Sequence, residues 1–301
     1  MKNLAGNNLI RFATGLISDK PTTLIRNAFW PIVMERHADW PDLANELDAW
    51  VRSGRSATLW WRDDDAIAPT AELDRLLSVA GQLPISLAVI PGLVEPTLAD
   101  RLSNEPRVAV LQHGWRHIDH VARQQLSGHP SEYPEQRVAS EIIDELRAGR
   151  QRLKALFGDR ALPVFVPPFH GFHDRFLPLL GANGLTAISR NGPRRARLAS
   201  GLLQVNAHIE LIQWSNPPSF NGTAAALSKL VALLRARREG DADVEEPTGI
   251  LTHHLVQDSE SYRFIVKLIA VTQAHPAVRW LDALEVFPHR LYNLAAPRAD
   301  D

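Results

Sequence analysis

Two imidazoles four residues apart, His113 and His117 in Gln112-His113-Gly114-Trp115-Arg116-His117, follow a β-branched apolar run and are spaced to grip one metal ion. Upstream, Trp60-Trp61-Arg62-Asp63-Asp64-Asp65 closes another apolar segment with three consecutive carboxylic acids. A carboxylate and two histidines are a common way to hold a catalytic zinc while leaving a position open for water. The chain has no cysteine, so thiolate ligands, disulfides and a cysteine nucleophile are excluded, and His, Asp and Glu remain as ligands. It also lacks a Gly-x-Gly-x-x-Gly or Walker-type loop and a Gly-x-Ser-x-Gly elbow, which removes support for nucleotide and serine-nucleophile chemistry. The chemistry these residues imply is metal-assisted hydrolysis.

The elements that would position them alternate. Short β-rich runs at 57–62, 85–90, 108–112, 163–166, 185–189, 203–207 and 250–253 give seven expected strands. Helical patterns are expected at 40–52, with Leu43, Leu47 and Val51 in phase, and at 71–79, 135–156, 175–180, 224–238 and 266–273, with a final edge at 278–281. Strand-helix alternation over this length points to a mostly parallel α/β sheet, open or closed into a barrel. The acids and histidines then fall at the C-terminal ends of strands, the face that carries the site in parallel barrels. The acidic stretch 239–247 reads as a solvated loop, residues 1–38 as an N-terminal extension, 39–288 as the catalytic domain and 289–301 as a tail.

At 301 residues one catalytic domain is the default, and 33 basic against 34 acidic residues leave no electrostatic footprint for nucleic acid or an anionic membrane. No signal-type apolar segment opens the chain and no run approaches the length of a membrane span, so a soluble cytoplasmic protein is expected. Oligomeric state is not readable.

Taken together, Arg62-Asp63-Asp64-Asp65-Ala66, His113-Gly114-Trp115-Arg116-His117, Val166-Pro167-Pro168-Phe169 and Leu251-Thr252-His253 resemble the ordered motifs of the polysaccharide deacetylase superfamily, the NodB-homology proteins of carbohydrate esterase family 4. The resemblance spans about 57–285 and implies a distorted (β/α)7 barrel, in agreement with the strand count. It implies a divalent metal, most often zinc, on Asp65, His113 and His117, with Asp64 as catalytic base and His253 as the acid that protonates the leaving amine. The alternative register makes Asp63 the base and Asp64 the ligand. The family's tethering Arg is replaced here by Val166, and Arg62 would supply a guanidinium instead if it faces the site.

Pro168, Phe169 and His170 follow that motif, and Trp115 and Trp214 offer aromatic faces to a sugar ring; these five are the expected substrate-binding residues. His173 either contacts substrate or caps the following helix. By the same resemblance Glu210 stands where the family often keeps an acid that tunes the general-acid His, with a solvated Glu as the alternative; His254 follows His253 directly, and adjacent strand residues face opposite ways, so one of that pair should enter the site. Trp60 and Trp61 read as packing, and His120 has no assigned role. The implied activity is removal of an acyl group, acetyl above all, from an N-acylated sugar or polysaccharide. Hydrolysis of a small non-sugar amide, and a degenerate glycan-binding protein, are the alternatives.

Overall fold

A strand buried on both faces needs apolar side chains on each, and the central runs of this chain supply them. The computed structural model describes residues 37–123 and 128–288. The expected extension therefore lies outside the described residues apart from His37 and Ala38, as does the tail 289–301. In chain order the strands are β1 (Ala57–Ala66), β2 (Ile85–Val89), β3 (Val108–His113), β4 (Ala161–Val166), β5 (Ala187–Ile188), β6 (Leu198–Ala199), β7 (Leu202–Gln204), β8 (Ile209–Glu210), β9 (Ile212–Gln213), β10 (Ser219–Phe220), β11 (Thr248–Thr252) and β12 (Val278–Trp280). The main sheet runs β6-β7-β5-β4-β3-β2-β1-β11-β8, parallel except for β6 on β7, with β12 also beside β1. β9 and β10 form a separate hairpin.

The two ends of this path are one piece of chain. β7 pairs with β5, then Ala207 donates to the Arg190 carbonyl (3.0 Å), His208 donates to the Gly249 carbonyl (2.8 Å), and β8 pairs with β11. Residues 202–210 thus bridge the sheet's edges and close a distorted seven-stranded barrel. The close approach needs Gly249, because a Cβ there would sit 2.6 Å from Trp60 Nε1 and 2.7 Å from Ala207 Cα. The expected solvated loop at 239–247 is corrected at its end. Glu246 is buried, accepts from the backbone N–H groups of Arg194 and Asn206 (both 2.9 Å), and lies 3.3 Å from His208 Nε2, pinning the bridging segment from below.

The helices are α1 (Trp40–Arg52), α2 (Ala71–Ala80), α3 (Pro96–Leu102), α4 (His120–Arg123), α5 (Ala139–Phe157), α6 (Leu177–Ala182), α7 (Thr223–Glu239), α8 (Ser259–Gln273) and α9 (Ala283–Val286). α1 starts on an Asp39–Asp42 capping box and buries Leu43, Leu47 and Trp50, while Val51 faces out: the inward stripe steps by four and then three residues. α8 starts seven residues before its expected beginning because Asp258 accepts from Ser261 N–H as N-cap. α5 starts after 135–138, which form the turn into it. No helix among the described residues is long and apolar enough to cross a membrane.

Side-chain alternation sorts the sheet into two faces. Leu59, Trp61, Leu87, Val89, Val110 and Ile250 join the larger cluster beneath the helices. Trp60, Ala88, Leu111, Val164, Val166, Ala187, Leu203 and Val205 point into the barrel, where Leu281, Ala283, Val286 and Phe287 fill one end and Phe287 meets Trp60 edge-on at 5.5 Å. Trp60 and Trp61 are thus packing residues on opposite faces. The same parity carries Arg62 and Asp64 inward after Trp60, His113 after Leu111, and His253 in step with Leu251.

Candidate metal centre

Period two would send Asp65 outward with Asp63, but a bulge intervenes. Between Asp63 and Ala66 the β1–β2 register gains one residue, and Asp65 adopts φ +74°, turning its carboxylate to the inner side. Asp65 Oδ1 lies 3.1 Å from His113 Nε2 and 3.3 Å from His117 Nε2, and the three donor atoms are within 4.8 Å of one another. His113 Nδ1 lies 3.0 Å from the Val166 carbonyl, which makes Nδ1 the donor there and turns Nε2 to the cluster, where it donates to Asp65 when protonated and offers a lone pair to a cation when not. His117 is held in place by φ +57° and by Phe169, whose ring centroid is 4.3 Å away.

The donor set fits a divalent cation: one carboxylate oxygen and two imidazole nitrogens, with positions left open on the cavity side. Burial pushes the Asp65 carboxyl up, but the His113 hydrogen bond and the charges of His113, His117 and His253 overcome this and hold it well below the usual range. Burial also lowers the imidazoles. In His113 the contact with Asp65 and the charge of Asp64 reverse that and raise it, whereas His117, beside His113, stays lowered.

Asp64 is 1% exposed and bound at both oxygens by Arg62, Nε to Oδ1 at 2.8 Å and Nη2 to Oδ2 at 3.0 Å. Arg62 Nη1 donates to Ser189 Oγ (2.7 Å) and to the carbonyls of Ser189 and Arg190. Burial raises the Asp64 carboxyl, yet the charges of Arg62, His113 and His253 outweigh it and keep the group low. Val166, where the resemblance led to an expected Arg, is an apolar residue of the barrel interior, and the guanidinium beside Asp64 comes from two residues upstream of it.

His253 is buried opposite, with Trp214 perpendicular to its ring at 4.8 Å and Glu210 Oε1 4.0 Å from Nδ1. Glu210 accepts from Trp214 Nε1 (2.5 Å) and lies 3.5 Å from His170 Nε2. Burial raises its carboxyl, and the contacts with His170, Trp214 and His253 bring it below its usual value. A cavity of about 490 Å³, a size typical of small-molecule sites, is lined by Asp64, Asp65, His113, His117, His129, Pro130, Phe169, His170, Trp214 and His253. Of the five described residues other than glycine with positive φ, four line it: Asp65, His117, Phe169 and His170. Strain of this kind persists only where the surroundings enforce it.

Several expected residues stand elsewhere. Trp115 is not among the cavity's lining residues; its carbonyl accepts from Gly92 N–H (2.7 Å) and its ring packs over that turn. Pro168 packs behind the cavity against Gly114. His173 accepts from Arg175 N–H (3.4 Å) and lies 3.6 Å from Glu135, the capping alternative. His120 accepts from Arg137. Asp63 and His254 face each other on the outer side of the sheet, so the alternative register, with Asp63 as base and Asp64 as ligand, does not match the geometry. Sequence reasoning missed His129 and Pro130, which lie in irregular chain, and Ser189 and Glu132, whose parts depend on tertiary contact.

Glu132 explains the glycine between the ligands. Its buried carboxylate accepts from the N–H groups of Trp115 (3.1 Å) and Arg116 (2.7 Å), fixing the His113–His117 loop. Gly114 has φ +53°, and a Cβ there would fall 2.0 Å from Glu132 Oε2 and 2.5 Å from Pro168 Cγ. Gly114→Ala is therefore expected to destabilise the fold by about 1–3 kcal/mol through left-handed strain and overlap. Zinc affinity should fall with it, measured by competition with a chromogenic chelator.

No family model matches the sequence, and no curated protein matches it. Among solved structures, a Mycobacterium smegmatis protein provisionally called a polysaccharide deacetylase superposes with a TM-score of 0.57 at 13% identity, over 86% of this chain and 94% of its own. A family 4 carbohydrate esterase from Streptomyces lividans, solved with acetate, is 15% identical over 74% of this chain and 90% of its own, with a TM-score of 0.46. The catalytic domain of a peptidoglycan N-acetylglucosamine deacetylase from Eubacterium rectale is 15% identical over 75% and 88%, with a TM-score of 0.47. At these identities the likeness concerns the fold, and the first of the three carries it.

Proposed function

We propose, from a chain with the polysaccharide deacetylase fold, a divalent-metal-dependent hydrolase that removes an acyl group, acetyl above all, from an N-acylated sugar. The observation that carries this reading is the buried Arg62–Asp64 pair set beside the Asp65-His113-His117 cluster in a cavity that His253 also lines. What sets Asp64 apart from the buried carboxylates that only brace the fold is its place: held ionised by Arg62, it lines the cavity beside the cluster, where it can take a proton from water. Arg62 supplies the guanidinium that Val166 cannot, which favours the hydrolase over a degenerate glycan-binding protein.

Asp65, His113 and His117 would hold the cation, and their nitrogen and oxygen donors suit zinc. When bound, the cation acidifies water and polarises the acyl carbonyl. Asp64, held deprotonated by Arg62, takes the proton of the attacking water. His253 gives a proton to the departing amine, with Glu210 on its Nδ1 side and Trp214 screening the ring from solvent. Phe169, His170 and Trp214 are the side chains placed to meet the sugar.

The test is release of free amine from N-acetylglucosamine oligomers by protein prepared with zinc, stripped with chelator and reloaded. Amine release that disappears with the metal and returns on reloading supports the reading. Protein that takes up no divalent metal under any condition overturns it, and metal-dependent amine release confined to small non-sugar amides moves the substrate, not the chemistry.

A further inference from the structure

The third acid and the second histidine are unused by this mechanism, yet both are buried: Asp63 is 0% and His254 1% exposed. They meet on the outer face of the sheet. Asp63 Oδ2 accepts from Thr252 Oγ1 (2.6 Å) and from the His254 backbone N–H (3.0 Å), and Asp63 Oδ1 accepts from His254 Nδ1 (2.5 Å). Trp61 Nε1 also donates to Thr252 Oγ1 (2.9 Å). One carboxylate therefore grips the residue before His253 and the residue after it, while His253 points the other way into the cavity.

We propose that Asp63 and His254 are positioning residues, a latch that holds His253 in register with Asp64 and Asp65. The geometry is economical because alternation does the sorting. Asp63 precedes Asp64 on β1, and His254 follows His253 past the end of β11, so two neighbours on the outer face fix two neighbours on the inner one. The β1–β11 ladder ends at Thr252; beyond it Val256 N–H closes the turn on the His253 carbonyl (3.0 Å) and Trp214 packs on the His253 ring, and among the hydrogen bonds of the described residues the latch is what ties His254 to β1. The inference rests on the hydrolase reading for its consequence, and on the hydrogen bonds alone for its geometry.

The experiment compares wild type with His254→Leu, which removes the side-chain donor, and His254→Asn, which can return an N–H near Nδ1. Asp63→Asn, isosteric, is a further variant should His254→Leu fail to fold. Each is assayed on an N-acetylated sugar and on an activated aryl acetate, whose leaving group needs no proton, alongside zinc content and amide hydrogen exchange at 253–256. A misplaced acid costs about 10- to 100-fold. His254→Leu should lose that much kcat on the amide with KM little changed, keep its zinc and aryl acetate turnover, and exchange faster at 253–256; His254→Asn should recover most of the loss. Parallel loss on both substrates, or no loss on either, overturns the latch. If wild type hydrolyses neither substrate, the hydrolase reading fails, and exchange decides: unchanged protection in His254→Leu and Asp63→Asn overturns the latch as well.

Discussion

Arg62→Met is expected to lower folding stability by about 3–5 kcal/mol, the cost of leaving one partner of a buried ion pair uncompensated. The residue left behind is Asp64, 1% exposed, and the acceptors on Ser189 and Arg190 lose their donor with it. Denaturant titration measures this, and the pH dependence separates electrostatics from packing. In the wild type the Asp64 carboxyl is held below its ordinary 3.8, so its stabilisation is present above that value and lost as pH falls through the depressed one. In the variant burial acts with its main counterweight removed and raises the carboxyl, so the stability gap should narrow as the solution is acidified. The acidic limb of kcat/KM should move to higher pH, because a base that protonates earlier fails earlier, and turnover at neutral pH should drop on the order of 10²-fold. Arg62→Lys keeps the charge without the two-pronged fit and should fall between the two.

Asp65→Ala and His113→Ala should each abolish zinc retention on dialysis, read by elemental analysis against a wild type holding about one ion per chain. Removing a cation worth several kcal/mol to the transition state lowers turnover by about 10³-fold or more. The two variants should differ in folding stability. His113 is buried and bonded to the Val166 carbonyl, so its truncation leaves a cavity and an orphaned acceptor, whereas Asp65 is partly exposed on the cavity side and its loss relieves a left-handed φ of +74° only if glycine replaces it. Asp65→Gly should therefore fold at least as stably as Asp65→Ala and be equally devoid of metal.

Seven strands were legible because each is a short β-rich apolar run, and the three chemical groups were legible because they stand where those runs end. What the period could not show was where β1 stops. Arg62 to Ala66 breaks the apolar pattern, yet the strand continues through it, since each charge meets a partner inside the fold. Period two also misplaces Asp65, which reaches the inner face only through a bulge. Trp115 was expected over the substrate because it sits between two ligands; the left-handed turn at Gly114 and the grip of Glu132 direct it to the Gly92 turn. α3 and α9, seven and four residues long, offer too few turns for a period to register. Glu246 lay in an acidic stretch that composition assigns to solvent, and only its contact with Arg194 and Asn206 distinguishes it from its neighbours.

The closure of the barrel by residues 202–210 and β11 has a consequence for how the chain comes to be folded. The Asp63–Thr252 bond spans 189 residues, so the pairing that completes the sheet carries a high contact order and a large loop-closure cost. The cation ligands proposed here all lie between 65 and 117, among strands that neighbour one another in sequence as well as in space. A nascent chain can thus bring its ligand set together before the last strand leaves the ribosome, whereas the acid at 253 arrives only when synthesis is nearly done. Premature termination before Thr248 would leave the long edge of β1, with two carboxylates and a guanidinium meant for burial, open to other chains and to proteolysis.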